Sequence, residues 1–259
     1  MKPGMPRLIA LVESILWSGW IEGERPISML LVAPAGAGKT SLLENFESEY
    51  APFVSDCTSR EVSKILKEKR SASHLLIGDF ISVMRHKKST TDLTMNMISQ
   101  LAGETLRIDA FTGEMTSRRL GIISAIPPED LKDKRIRTAL NAGGFASRFL
   151  IAKYDYQTST IAAIHKYIRE GRYREEQKSK ILKVGPPPRK ISIDPNMSRE
   201  VERLGIMIKR DPIGARAHHY IRTLGLSIAA CDGSKRMAAR HFQTLTEMSE
   251  FFTQRGVML

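Results

Sequence analysis

The chain has 259 residues, 42% hydrophobic and 26% charged, the balance of a soluble globular protein with a substantial core. Forty Lys and Arg against 28 Asp and Glu give a net charge of +12, so a polyanion is the first partner to expect. Two distant cysteines, Cys57 and Cys231, exclude a disulfide framework and a zinc site and fit a reducing, cytoplasmic setting; no apolar run reaches the roughly 18 residues of a membrane span.

In chain order, residues 1–20 mimic a leader, with Lys2 and Arg7 before Leu8-Ile9-Ala10-Leu11-Val12. Glu13 interrupts the run and no small-residue cleavage site follows, so an amphipathic helix packed on the core is expected. A strand is predicted from Ile27 to Val32, a helix from Thr40 to Tyr50, a short strand from Phe53 to Thr58 and a helix from Ser59 to Arg70. His74 to Phe80 reads as a buried strand, Thr91 to Leu106 as a helix, and Leu120 to Ile126 as a strand stopped by Pro127-Pro128. Phe149 to Ala152 is the last strand and Ile161 to Ile168 a helix. Such alternation predicts an α/β fold, a parallel sheet flanked by helices.

Glu170 to Lys190 then becomes basic and breaks at Gly185-Pro186-Pro187-Pro188. After it the pattern is helical, with stripes at Ala217, Ile221, Leu224 and Ile228 and at Phe242, Leu245, Met248 and Phe252. The expected division is an α/β core with its N-terminal helix over 1–173, a basic, Pro-rich linker over 174–198 and a helical lid over 199–259.

Ala33-Pro34-Ala35-Gly36-Ala37-Gly38-Lys39-Thr40-Ser41 fits the phosphate-loop pattern G-x-x-x-x-G-K-[ST], with Ala33 for the first glycine. A strand enters and a helix leaves, so backbone N–H groups would cradle phosphates where small residues let them approach. Lys39 is expected on the β- and γ-phosphates of ATP and Thr40 on Mg2+. Leu75-Leu76-Ile77-Gly78-Asp79 supplies a second carboxylate, Asp79, at the end of a buried strand for the metal's surroundings. Phe80 follows where many such ATPases carry a catalytic Glu; Glu104, Glu114 or a neighbouring subunit are the substitutes in view.

The order of these motifs resembles the AAA+ P-loop ATPases, and among them the minichromosome-maintenance-like helicases and related phage replication ATPases. Leu120 to Pro127 resembles their sensor strand, with Ser124 in place of the usual Asn. Ala146-Ser147-Arg148-Phe149 is similar to their Ser-Arg-Phe segment, which implies that Arg148 is a finger on a neighbour's γ-phosphate, with Arg118 and Arg119 as rivals. Ala215-Arg216 and Tyr220-Ile221-Arg222 resemble the sensor-arginine helix, which implies that Arg216 or Arg222 reaches the γ-phosphate in cis. No long pore hairpin is visible between Ile108 and Leu120, with a turn at Thr112-Gly113.

The resemblance implies an ATP-dependent homo-oligomer such as a hexamer, working on single- or double-stranded DNA in replication, with another replication protein as a further partner. A motor, a remodeller or a helicase loader of phage or mobile-element origin is expected, against a nucleotide-dependent DNA-binding switch. Basic residues cluster at Lys64 to Arg70, at Arg85, Lys87 and Lys88, and at Lys166 to Lys190, where Tyr167 and Tyr173 interleave. Arg85, Lys87 and Lys88 are the favoured DNA contacts, since the loop after the acidic strand lies near the central channel in the resembling ATPases.

Overall fold

The computed structural model describes residues 5–103, 106–108, 113, 115–156, 158–171, 189–208 and 215–253. Strands β1 (Met29–Val32), β3 (His74–Ile77) and β6 (Gly121–Ile126) are buried at every position, as apolar runs covered on both faces should be. With β2 (Phe53–Val54) and β7 (Leu150–Lys153) they form a wholly parallel sheet in the order β2-β3-β6-β1-β7. β6 therefore lies between the strand that enters the glycine loop and the strand that ends at Asp79. Val32 stands opposite Ile126, and Ile77 opposite Ser124, so the loops after all three strands emerge on one edge.

Successive strand residues point to opposite faces and enter separate cores. Met29, Leu31, Leu76, Ile123 and Ala125 join a cluster with Leu8, Leu11 and Ile15 of helix α1 (Pro6–Trp17). Leu30, Val32, Leu75, Ile77, Ile122 and Ile126 join the other. That second core is closed by helices α3 (Ser59–Glu68), α5 (Lys88–Gly103) and α6 (Lys134–Asn141) through Val62, Leu66, Met97, Leu101 and Leu140. α1 thus packs on the core as expected.

The glycine loop runs into helix α2 (Lys39–Glu44), six residues rather than the helix to Tyr50 that the sequence suggests. The end of α2 tightens into turns, with the Phe46 amide donating to the Leu43 carbonyl at 2.9 Å and the Glu47 amide to the Glu44 carbonyl at 3.1 Å, before Ser48 Oγ accepts from the Ala51 amide at 3.2 Å. β2 stops at Val54, short of Thr58, because Thr58 turns out to cap α3, accepting from the Glu61 amide at 3.2 Å. A short helix, α4 (Ile81–Met84), precedes α5, which starts three residues before the expected Thr91. The region without a long hairpin holds a short one, β4 (Leu106–Ile108) against β5 (Met115–Arg118), antiparallel, with Gly113 at a φ of 71° between them.

After β7 come α7 (Thr158–Arg169) and then α8 (Pro195–Ile208), α9 (Ala215–Cys231) and α10 (Ala239–Thr253). Ala217, Ile221, Leu224 and Ile228 of the first expected stripe are buried, as are Leu245 and Met248 of the second. Helices α8, α9 and α10 share the α1 core through Val201, Leu204, Leu224 and Leu245. The basic residues from Arg172 to Lys183, Tyr173, Glu104 and Glu114 lie outside the described residues.

Candidate nucleotide site

Gly36 and Gly38 take φ values of 76° and 75°, left-handed backbone that residues with a Cβ avoid. This pair of reversals curls Pro34 to Lys39 into a concave run of amides, the geometry that binds phosphate oxygens. Ala37 is held from two sides. Its carbonyl accepts from Tyr154 Oη at 3.2 Å and Tyr156 Oη at 3.0 Å, both just beyond the end of β7. Burial raises both phenol pKa values, that of Tyr156 to about 12, so both remain donors at neutral pH. This clasp was invisible in the sequence, where nothing links residue 37 to residues 117 and 119 positions later.

Lys39 Nζ donates to the carbonyls of Ala33 at 2.6 Å and Pro34 at 2.7 Å, which points the ammonium across the mouth of the loop. Partial burial pulls its pKa below the ordinary lysine value, opposed by the carboxylates of Asp79, Glu129 and Asp130, in that order. Thr40 is exposed and Ser41 half-buried; Thr40 Oγ1 lies 3.4 Å from the Gly78 carbonyl. Gly78 permits that approach, since a Cβ there would meet Phe53 Cζ at 2.6 Å and Thr40 Cγ2 at 3.4 Å.

Asp79 follows on the same edge. Its Oδ1 accepts from the Ile81 amide at 3.0 Å, starting α4, and its Oδ2 lies 3.6 Å from Arg85. Hard oxygen donors on Thr40 and Asp79, with the loop beside them, fit Mg2+, which takes one or two protein oxygens together with phosphate. Arg85 differs from expectation in being an ion-pair partner of Asp79 as well as an exposed cation; Lys87 and Lys88 are exposed beside it. Ser124 does not fit the sensor role expected of it. It is completely buried in mid-strand, two residues short of the end of β6, and its Oγ donates to the Ile77 carbonyl at 2.9 Å. Phe80 is equally buried and packs on Phe145 at 5.5 Å between centroids.

The opposite edge of the sheet is a different chemistry. Arg148 ends a 3-10 turn (Ala146–Arg148) just before β7, whose Leu150 stands opposite Met29 at the start of β1. The four residues of β1 therefore separate Arg148 from the chain's own loop, roughly 13 Å at strand rise. Its side chain lies over Gly103 at the C-terminus of α5, where any Cβ would collide with it. Arg216 is on the same edge, donating from Nη1 to Ser147 Oγ at 3.0 Å, and Tyr220 Oη donates to the Arg148 carbonyl at 2.9 Å. Arg222 donates to Glu24 at 2.8 Å, a carboxylate only 9% exposed that also accepts from Thr223 at 2.8 Å. The cis placement implied for Arg216 and Arg222 is thus overturned: α9 packs on α1 and the strand starts, which carries both arginines to the edge away from Lys39. Arg118, a rival finger, is spent on the Lys69 and Ala72 carbonyls at 3.3 and 3.2 Å.

No family model and no curated protein matches the sequence. Among solved structures the chain is similar to a full-length MCM homolog from Methanopyrus kandleri, with a TM-score of 0.59 over 97% of this chain and 13% identity. The two chains share a fold. With the sheet order and the loop, that likeness places the chain in one architecture. It is a parallel α/β fold with a glycine loop after β1. The chain spans 56% of the length of that MCM homolog. Within the chain the C-terminal strand edge carries the loop, Lys39, Thr40 and Asp79, and the N-terminal edge carries Arg148, Arg216 and Arg222.

Proposed function

We propose that the protein is an oligomeric ATPase acting on DNA in replication, as a motor, a remodeller or a helicase loader of phage or mobile-element origin. The observation that carries this is the separation of an anion cradle from an arginine cluster by the full length of β1. Loop amides and Lys39 hold the β- and γ-phosphates of ATP. Thr40 and Asp79 hold Mg2+, which when bound neutralises phosphate charge. Arg148, too far from its own loop, reaches the γ-phosphate bound by the next copy, and Arg216 accompanies it from the same edge. Arg222 remains the partner of Glu24. DNA meets Lys87, Lys88 and Arg85, so a change at the γ-phosphate beside Asp79 is felt by a DNA-facing cation through the Asp79–Arg85 pair.

The test mixes Arg148→Ala with Lys39→Ala. Each is inactive alone, and mixed oligomers contain interfaces joining an intact loop to an intact Arg148. Partial recovery of ATPase activity on mixing is expected; none, in oligomers shown to be mixed, sinks the shared site. The DNA surface is tested by salt: neutralising Arg85, Lys87 and Lys88 should flatten the dependence of affinity on salt by roughly one unit per lost phosphate contact.

A second reading, a nucleotide-dependent DNA-binding switch with little hydrolysis, draws on Phe80, buried where a catalytic Glu is expected. DNA-stimulated turnover excludes it.

A further inference from the structure

An ATPase must draw a proton from its attacking water, and Phe80 cannot do so. Its ring is in the core and its amide is bonded to the Ala125 carbonyl at 2.8 Å. Asp79 has the metal to hold on the proposed reading, besides accepting from the Ile81 amide and facing Arg85. A different carboxylate stands at the same edge. β6 runs between β1 and β3, and its last residue, Ile126, accepts from the Ala33 amide at 3.4 Å at the mouth of the glycine loop. Pro127 and Pro128 offer no N–H to continue the ladder, so the chain leaves the sheet there.

It does not go far. The Asp130 amide donates to the Pro127 carbonyl at 3.2 Å and the Lys132 amide to the Glu129 carbonyl at 3.1 Å, folding the chain into a tight turn over the end of β6. Glu129 is three residues past Ile126, within about 10 Å along the chain, on the sheet edge where β6 ends between the strands that lead to the loop and to Asp79. Its side chain is exposed and, among the described residues, makes no hydrogen bond or ion pair. Of the carboxylates that act on the Lys39 ammonium it comes next after Asp79 and ahead of Asp130.

We propose that Glu129 is the general base of the ATPase, taking over from the next strand the task that Phe80 cannot perform. This rests on the ATPase reading above. The Glu129 carboxylate accepts a proton from water as the water oxygen bonds to the γ-phosphorus. The bond from that phosphorus to the bridging oxygen breaks, and its electron pair leaves with ADP. Glu129 then returns the proton to solvent.

The experiment uses the full chain with DNA and measures ATP affinity, single-turnover hydrolysis and the pH dependence of the hydrolysis rate. Glu129→Gln should bind ATP within about twofold of wild type and hydrolyse it about 100-fold or more slowly, the usual contribution of a positioned base. The fall in rate at acid pH that protonation of the base imposes on wild type should vanish in the variant. Wild-type rates in Glu129→Gln, or a loss of this size in Asp130→Asn alone, overturn the assignment of Glu129. A wild-type protein that binds ATP but does not hydrolyse it with DNA present overturns the ATPase reading itself, and the base with it.

Discussion

The two edges of the sheet are built in opposite ways. At the C-terminal edge, each group sits just past a strand: the loop after β1, Asp79 after β3, Glu129 after β6 and the two tyrosines after β7. Their positions follow from strand order alone, and the result is an amide-lined concavity with lysine and carboxylates around it. At the N-terminal edge the groups come from far apart. Arg222 is joined to Glu24 across 198 residues and Arg216 to Ser147 across 69. Here one buried carboxylate sits among several cations. One edge is an amide-lined concavity and the other presents cations; the length of β1 keeps them apart within one chain, and on the proposed reading they meet between copies.

Substitutions should tell the edges apart. The largest effect is expected on the first edge. Lys39→Ala removes a charge-assisted contact and should cost about 2 kcal/mol or more of ATP affinity, roughly 30-fold, read by calorimetric titration. An unchanged affinity would remove the nucleotide from this edge. Glu24→Gln belongs to the second edge and should behave in the reverse sense. Arg222 loses its counter-charge, and the one oxygen left can serve Arg222 or buried Thr223 in place of the two that now do, costing about 2 kcal/mol in denaturant unfolding while the ATP affinity of the monomer stays put. A drop in that affinity would mean that the edges are coupled within one chain.

His74 probes the same N-terminal edge through pH. Fully buried between Ser18 and Ser73, it is held neutral by desolvation, its pKa lowered from 6.5 to about 3. Between those values the unfolded chain binds a proton that the folded chain refuses. Stability is therefore intact above pH 6.5 and lost as pH falls toward 3, by about 1.4 kcal/mol per unit for this one group. Burial lowers the His219 pKa as well and adds to the slope. Unfolding midpoints that are flat from pH 6.5 to 4.5 would contradict the buried neutral ring. The smallest effect is expected from Tyr156→Phe. Ala37 keeps its bond from Tyr154, so the loss should be about 1 kcal/mol, seen as a slightly lower melting point and weaker ATP binding. Melting alone would show that the clasp supports the fold and not the loop.

What the sequence showed follows the same division. Apolar runs ending in glycine, aspartate or paired prolines marked β1, β3 and β6 and the loop, because a strand end is a local event. The rule that found Asp79, a carboxylate after a buried strand, applies equally to Glu129 and was masked by the two prolines between. Ser124 misled because its place in a motif says nothing of depth within the sheet, and its hydroxyl is spent on Ile77. The lid arginines misled for another reason. A helix that packs on α1 can present its polar residues to either edge, and only the tertiary partners Glu24 and Ser147 decide which. The short α2 is intermediate: its start after the loop was legible, while its end is set by the tight turns at Phe46 and Glu47.

Each central strand divides its side chains between two separate cores, and this gives the sheet the character of a party wall. A truncation at Leu31 or Met29 opens a void on the side of α1 and α9, while one at Leu30 or Val32 opens a void on the side of α3 and α5. Scanned along β1, amide exchange should therefore loosen in two beats, first one house and then the other. The wall itself would stay standing, and with it the glycine loop that it carries.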